Sequence, residues 1–97
     1  MKVVVTFGVD ADIIDCPEEI IDDLIEYRDD FTTWLFDKQN NHSYWFYING
    51  ERVGCCYRSE PYVEWINTFI LANSLRKVKV LEHCVKNWDK NLPSIFF

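Results

Sequence analysis

The chain predicts an α+β domain in the order β-α-β-β-α-α-β, a four-stranded, largely antiparallel sheet around a central hairpin with helices mainly on one face. Three observations predict it. Asn49-Gly50 stands inside a run of aromatic and β-branched residues from Tyr44 to Arg58, the pattern of a two-residue hairpin turn. Apolar residues recur at helical spacing after Pro17 and again after Ser59. Short β-branched or aromatic runs, Lys2 to Phe7 and Ser94 to Phe97, sit at the two ends. The 97 residues form a single domain, 1–97, and 48% hydrophobic residues with 16% aromatic are enough to fill a core rather than leave a disordered chain.

Lys2 to Phe7 reads as a buried strand closed by Gly8, and Gly8-Val9-Asp10-Ala11-Asp12 as a loop. The first helix is predicted from Pro17 to Lys38. Asp15 with Glu18 makes a capping-box pattern, and Pro17 is tolerated in a first turn whose N–H groups lack intrahelical partners. Ile20, Leu24, Tyr27, Phe31 and Trp34 form its stripe, widened by Ile21 and Leu35. A polar connection from Asp37 to Ser43, with His42 as an exposed loop residue, leads into the hairpin.

A type I′ turn at Asn49-Gly50 sets Ile48 opposite Glu51, Tyr47 opposite Arg52, Phe46 opposite Val53, Trp45 opposite Gly54 and Tyr44 opposite Cys55. Tyr44, Phe46, Ile48, Val53, Cys55 and Tyr57 then make a core face. Trp45, Tyr47, Arg52, Gly54 and Cys56 make the opposite one, with Trp45 free to lie over Gly54. Ser59 caps a second helix that buries Tyr62, Val63, Ile66, Phe69 and Ile70, with Trp65 to one side. Leu75 to Lys90 is ambiguous. Lys77-Val78-Lys79-Val80 alternates like a strand, yet Val78, Leu81, Val85 and Trp88 share one helical stripe and Glu82 pairs with Lys86 at i,i+4, which favours a third helix with His83 and Cys84 off the stripe. Asn91-Leu92-Pro93 ends it, and Ser94 to Phe97 adds a last strand.

Charge is unevenly placed. Residues 1–37 carry eleven acids against Lys2 and Arg28, and residues 38–97 carry five acids against eight bases, so the first third is strongly negative within a net charge of −6. That disfavours direct binding of nucleic acid and suits a basic protein partner. Asp22, Asp23, Glu26, Asp29 and Asp30 fill the outer face of the first helix with no i,i+4 lysines to offset their repulsion, which makes them candidate partner-binding residues or a solvated face. Trp45, Tyr47 and Arg52 join them, because helices on one side of the sheet leave the hairpin's second face bare and these residue types are enriched at binding hot spots. A helix crossing to that side would instead bury them in a three-layer fold.

No catalytic motif, metal set or cofactor motif stands out. Asp10-x-Asp12 after an apolar strand matches the nucleophile pattern of haloacid-dehalogenase-like phosphatases, but the chain lacks room for that domain, and the EF-hand pattern fails at Ile14 and Asp15. Cys16, Cys55, Cys56 and Cys84 form no C-x-x-C pair and read as reduced thiols; a zinc site from Cys55 or Cys56 with His83 and Cys84 is the alternative. His42 beside Ser43 lacks the third group of a triad. There is no run long enough to span a membrane and no signal-peptide pattern at the start, so a cytoplasmic monomer or weak homodimer is expected.

The Glu60-Pro-Tyr-Val-Glu-Trp helix start and the Asn87-Trp-Asp-Lys-Asn-Leu-Pro-Ser-Ile-Phe-Phe ending, in a small acidic aromatic-rich chain, resemble the immunity proteins of bacterial polymorphic-toxin and contact-dependent inhibition systems. The resemblance implies tight cytoplasmic binding of a cognate toxin, commonly a basic nuclease, and assigns no residue a role. The expected function is therefore inhibition of a basic toxin. A phage-type acidic DNA mimic and a small metal-dependent enzyme using Asp10 and Asp12 are the alternatives.

Overall fold

In the computed structural model, which describes residues 1–97, strand β1 (Lys2–Thr6) turns directly back into β2 (Ala11–Asp15). A 3₁₀ segment (Glu18–Asp23) leads into helix α1 (Leu24–Leu35), followed by the hairpin strands β3 (Trp45–Ile48) and β4 (Glu51–Cys55). Helix α2 (Ser59–Trp65) runs on through a wide π-type turn (Ile66–Ile70) to β5 (Lys79–Val85) and β6 (Ser94–Phe96). The α+β class stands, but the order and the sheet differ from expectation. One sheet has four strands in the order β5-β2-β1-β6, and the β3-β4 hairpin is a separate two-stranded sheet.

The four-stranded sheet is mixed. β1–β2 and β2–β5 are antiparallel, and β6 runs parallel to β1 with Val5 beside Ile95. The predicted loop at residues 8–12 is thus a tight turn followed by a strand. Gly8 supplies the positive φ of 96° that the turn requires, while Ala11 and Asp12 already belong to β2.

The predicted third helix over Leu75 to Lys90 is overturned: β5 occupies Lys79–Val85. The Lys77-Val78-Lys79-Val80 alternation was the stronger signal because a partner strand exists at β2. Asn67 reinforces it by mimicking a strand edge, its Nδ2 donating to Val78 O at 2.9 Å and its Oδ1 accepting from Val78 N at 2.8 Å. The expected closing strand does form, as β6.

Alternation along β1 and β2 divides the core. Val3, Val5 and Ile14 face the helices and join Leu24, Phe31, Leu35, Tyr62 and Ile66 in the main cluster. Val4, Ala11 and Ile13 face the other side, where only Val85, Trp88 and Leu92 cover them. Helices on one face and a single loop on the other is the resulting layering.

The first helix is shorter than Pro17 to Lys38. The predicted capping box does not form, because Asp15 ends β2 and its Oδ1 accepts from the Met1 ammonium at 3.0 Å. With no side-chain cap, Glu18–Asp23, four acids around Ile20 and Ile21, take the tighter 3₁₀ winding before α1 begins. The predicted stripe nevertheless holds: Ile20, Leu24, Phe31 and Leu35 are buried, with Ile21, Tyr27 and Trp34 packed against them. In the second helix, Tyr62, Val63 and Ile66 are buried as expected. Trp65 is buried too, whereas Phe69 is exposed.

Candidate functional site

The hairpin departs most from its predicted surroundings. Asn49 and Gly50 take φ of 51° and 81°, which is the expected turn, and Ile48–Glu51 and Tyr47–Arg52 pair as predicted. Beyond them Val53 is an extra residue: Phe46 pairs with Gly54 and Trp45 with Cys55. Phe46, not Trp45, lies over Gly54, where an added Cβ would come within 2.8 Å of the Phe46 ring.

The predicted split into two faces holds for Tyr44, Cys55 and Tyr57, which pack against the main cluster, and for Tyr47 and Cys56, which are exposed, but it fails at four other positions. Trp45 was expected in solvent and is buried. Its Nε1 donates to Asn40 O at 2.7 Å, its ring stacks on His42, and the Arg52 guanidinium covers it 5.4 Å from the ring centroid. Phe46, Ile48 and Val53, assigned above to the core, are 42%, 58% and 48% exposed. The physical reason is topological. The hairpin joins no other strand, so its inner face rests on the 38–42 connection and the end of α1 instead of on a helical layer.

Side chains make that attachment. Arg52 Nη1 donates to Lys38 O at 2.5 Å and to Asn40 O at 3.1 Å, and Nη2 donates to Asn41. Cys55 Sγ approaches Leu35 O at 3.5 Å. His42 is built in rather than loose: Nε2 donates to Leu35 O at 2.7 Å while Nδ1 accepts from Tyr44 N at 3.2 Å, so its neighbours select the neutral Nε2–H tautomer. Of the three predicted hairpin contacts, only Tyr47, 53% exposed, has a ring open to a partner. The Trp45 indole is covered and the Arg52 guanidinium pins the adjoining loop.

Asp22 and Asp23 lie in the 3₁₀ segment and Glu26, Asp29 and Asp30 on α1, all exposed as predicted. Arg28 is the one cation among them, bonded through Nη2 to Asp29 Oδ1 at 3.0 Å and through Nη1 to the Phe96 carbonyl at 3.1 Å. The hairpin's base meets the C-terminal end of the helix that carries Glu26, Asp29 and Asp30, where Cys55 Sγ and His42 Nε2 reach the Leu35 carbonyl.

A second centre has no counterpart in the predicted partner-binding set. Asp12 is fully buried on β2, on the side facing α2. Its Oδ1 accepts from Arg58 Nη2 at 2.7 Å, Arg58 Nε at 3.2 Å and Cys84 N at 3.1 Å. Its Oδ2 accepts from Ser59 Oγ at 2.5 Å and Ser59 N at 3.3 Å, with His83 Nδ1 also 3.3 Å away. Burial by itself raises the Asp12 carboxyl, but the Arg58 and Ser59 side chains and the Cys84 and Ser59 amides outweigh it and hold the group far below the usual carboxylate range.

Cys84 reaches Asp12 by adopting φ of 55°, a conformation rare for a non-glycine residue. Ser59, predicted as a helix cap, is instead the first residue of α2 and spends its hydroxyl on Asp12. Arg58 also bonds Asp10 Oδ1 at 3.1 Å, and Lys86 lies 3.7 Å from Asp10 Oδ2. Arg58 therefore stands between the two carboxylates that a bridging divalent ion would need.

Asp12, Glu60 and His83 do offer ligand atoms within 4.8 Å of one another, and this is the only such group of three or more. The predicted alternative of Cys55 or Cys56 with His83 and Cys84 does not assemble, and all four cysteines are free. The trio fits a metal poorly. Both Asp12 oxygens already have three polar neighbours each, and the Arg58 cation is 2.7 Å away. Chemically the arrangement is an ionic lock that fixes the start of α2 and the β5 edge to β2.

Comparison with protein-family models, characterised proteins and solved structures finds no match to this chain. No helix is long and apolar enough to cross a membrane.

Proposed function

We propose that this chain is a protein-binding inhibitor of the immunity-protein type that acts in the cytoplasm on a basic partner, such as a nuclease toxin. The observation that carries the proposal is the hairpin's outer face. Phe46, Ile48 and Val53 lie in solvent on a two-stranded unit bonded to no other strand, and the Tyr47 ring is open on the Arg52 side of the same strand. Exposed apolar clusters of this kind mark interaction surfaces. The acidic face, with Asp22, Asp23, Glu26, Asp29 and Asp30 against Arg28 alone, supplies a field that steers a positive partner. A nuclease is a suitable target because its cleft must be positive to hold phosphates.

The test uses the partner captured from the native cell and binding kinetics over a salt series. Replacing Asp22, Glu26 and Asp29 together by Asn or Gln is expected to slow association at low salt and flatten its ionic-strength dependence. Phe46→Ala is expected to shorten the lifetime of the complex, by ~2 kcal/mol if the ring fills a pocket. Unchanged association and salt slope in the neutralised helix would rule out a basic target.

A further inference from the structure

The hairpin's base and the start of α2 border a shallow, wide-open groove of about 730 Å³, whose lining shares no residue with the two surfaces just described. Tyr44, Tyr57 and Pro61 supply its apolar walls, and Glu60 and Arg58 its charges. Arg58 is already committed to Asp10 and Asp12 at 2.7–3.1 Å, so its charge is compensated. Glu60 is half exposed and meets only His83, Nε2 to Oε1 at 3.0 Å, which leaves its second oxygen open. Tyr44 is oriented by donating its hydroxyl to Glu64. Of the two charged residues that line the groove, Arg58 is thus compensated by Asp10 and Asp12, and Glu60 is the charge left open.

We propose that this groove is a receptor for an arginine side chain presented by the partner, the guanidinium stacking on Tyr44 or Tyr57 and donating to Glu60. Aromatic walls with a carboxylate at the rim match that group better than any other natural side chain, because guanidinium is planar, weakly hydrated and a forked donor. An anion is disfavoured by the same charges, since Arg58 is already neutralised by two carboxylates and Glu60 repels. The proposal rests on the partner being a basic protein, but its test does not need that partner.

The probe is the blocked tripeptide acetyl-Gly-Arg-Gly-amide, titrated into isotope-labelled protein and followed by the amide resonances of residues 44 and 55–60. Saturable shifts confined to those residues are expected, with the citrulline tripeptide producing none. Glu60→Gln, which keeps the fold's hydrogen-bond acceptor, is expected to weaken the arginine peptide about tenfold, the loss of one charge-assisted contact. Tyr57→Leu is a second variant, in which the stacking wall is removed and the same shifts are expected to shrink.

Equal response to arginine and citrulline, or saturable shifts with inorganic phosphate in place of the peptide, would overturn the proposal. If the arginine peptide fails while the neutralised helix slows the partner's association, the groove assignment alone is wrong. If the peptide binds while association ignores the helix charges, the groove stands and the basic-partner reading falls.

Discussion

Asp12 is the residue on which the fold depends most specifically. It holds six polar contacts inside the molecule and has no exposed surface. Asp12→Ala leaves the Ser59 and Cys84 amides and the Arg58 charge without their acceptor, and a loss of about 3 kcal/mol or more is expected in urea unfolding. The pH dependence follows from the sign of the shift. A carboxyl depressed in the folded state contributes stability that is fully present above its unfolded value, about 4, and is lost as the pH falls from there toward the native value. Between about pH 6 and about pH 3, the wild-type urea midpoint should therefore fall more steeply than that of Asp12→Asn. A parallel fall would show that Asp12 is not the group responsible.

Trp45 makes a contrasting prediction at the same scale. With its indole covered by His42 and Arg52, Trp45→Ala is expected to destabilise the hairpin's attachment by about 3 kcal/mol. Phe46→Ala, at a ring 42% exposed, should change stability little. Thermal unfolding of the two variants separates a structural tryptophan from a solvent-facing phenylalanine. None of this was legible in the chain. Arg58, Ser59 and Cys84 lie 46 to 72 residues from Asp12, and no local pattern announces a pairing over such distances.

Among the elements, legibility followed the range of the forces involved. The α1 stripe and the Asn49-Gly50 turn are local, set by the helical period and by backbone conformations within a few residues, and both were readable. The turn supports its own prediction. Gly50 has open space around it but φ of 81°, so Gly50→Ala meets no neighbour and is still expected to cost about 1 kcal/mol through backbone strain. Faster amide exchange restricted to residues 45–55 would be its signature.

The unreadable elements were those decided by a distant partner. β5 satisfies both a strand and a helix pattern in sequence, and β2 and the Asn67 side chain break the tie. The hairpin's inner and outer faces were both apolar enough to be buried. Which one is buried depends on the 38–42 connection and the Arg52 bonds to it, which periodicity does not encode. The extra residue at Val53 then moves Cys55 to lie opposite Trp45, an offset that no count from the turn reveals.

Across the whole molecule, class and charge asymmetry were legible because both are sums over composition, while the sheet's membership was not. Two of its four strands, β2 and β5, replaced the two expected from the hairpin. The molecule measures 44 × 34 × 19 Å, a flat body whose sheet bears helices on one side and only the Trp88 and Leu92 segment on the other. That thin cover sets a further expectation. The 86–92 segment should be the first site nicked in limited proteolysis under native conditions, since few buried apolar contacts hold it and such segments open at a free energy below that of global unfolding. Cleavage starting instead in the hairpin would place the weakest part of the fold there.

The hairpin's separation from the main sheet also bears on how such a chain can change over time. Phe46, Ile48 and Val53 have no ladder bonds to the four-stranded sheet and are absent from its core clusters. Substitutions there are nearly independent of those that hold the scaffold together, and their effects on stability should add rather than compound. Selection can then rewrite the outer face, residue by residue, while Asp12, Phe31 and Tyr62 stay fixed. A chain built this way can alter its exposed tip without rebuilding the frame that holds it.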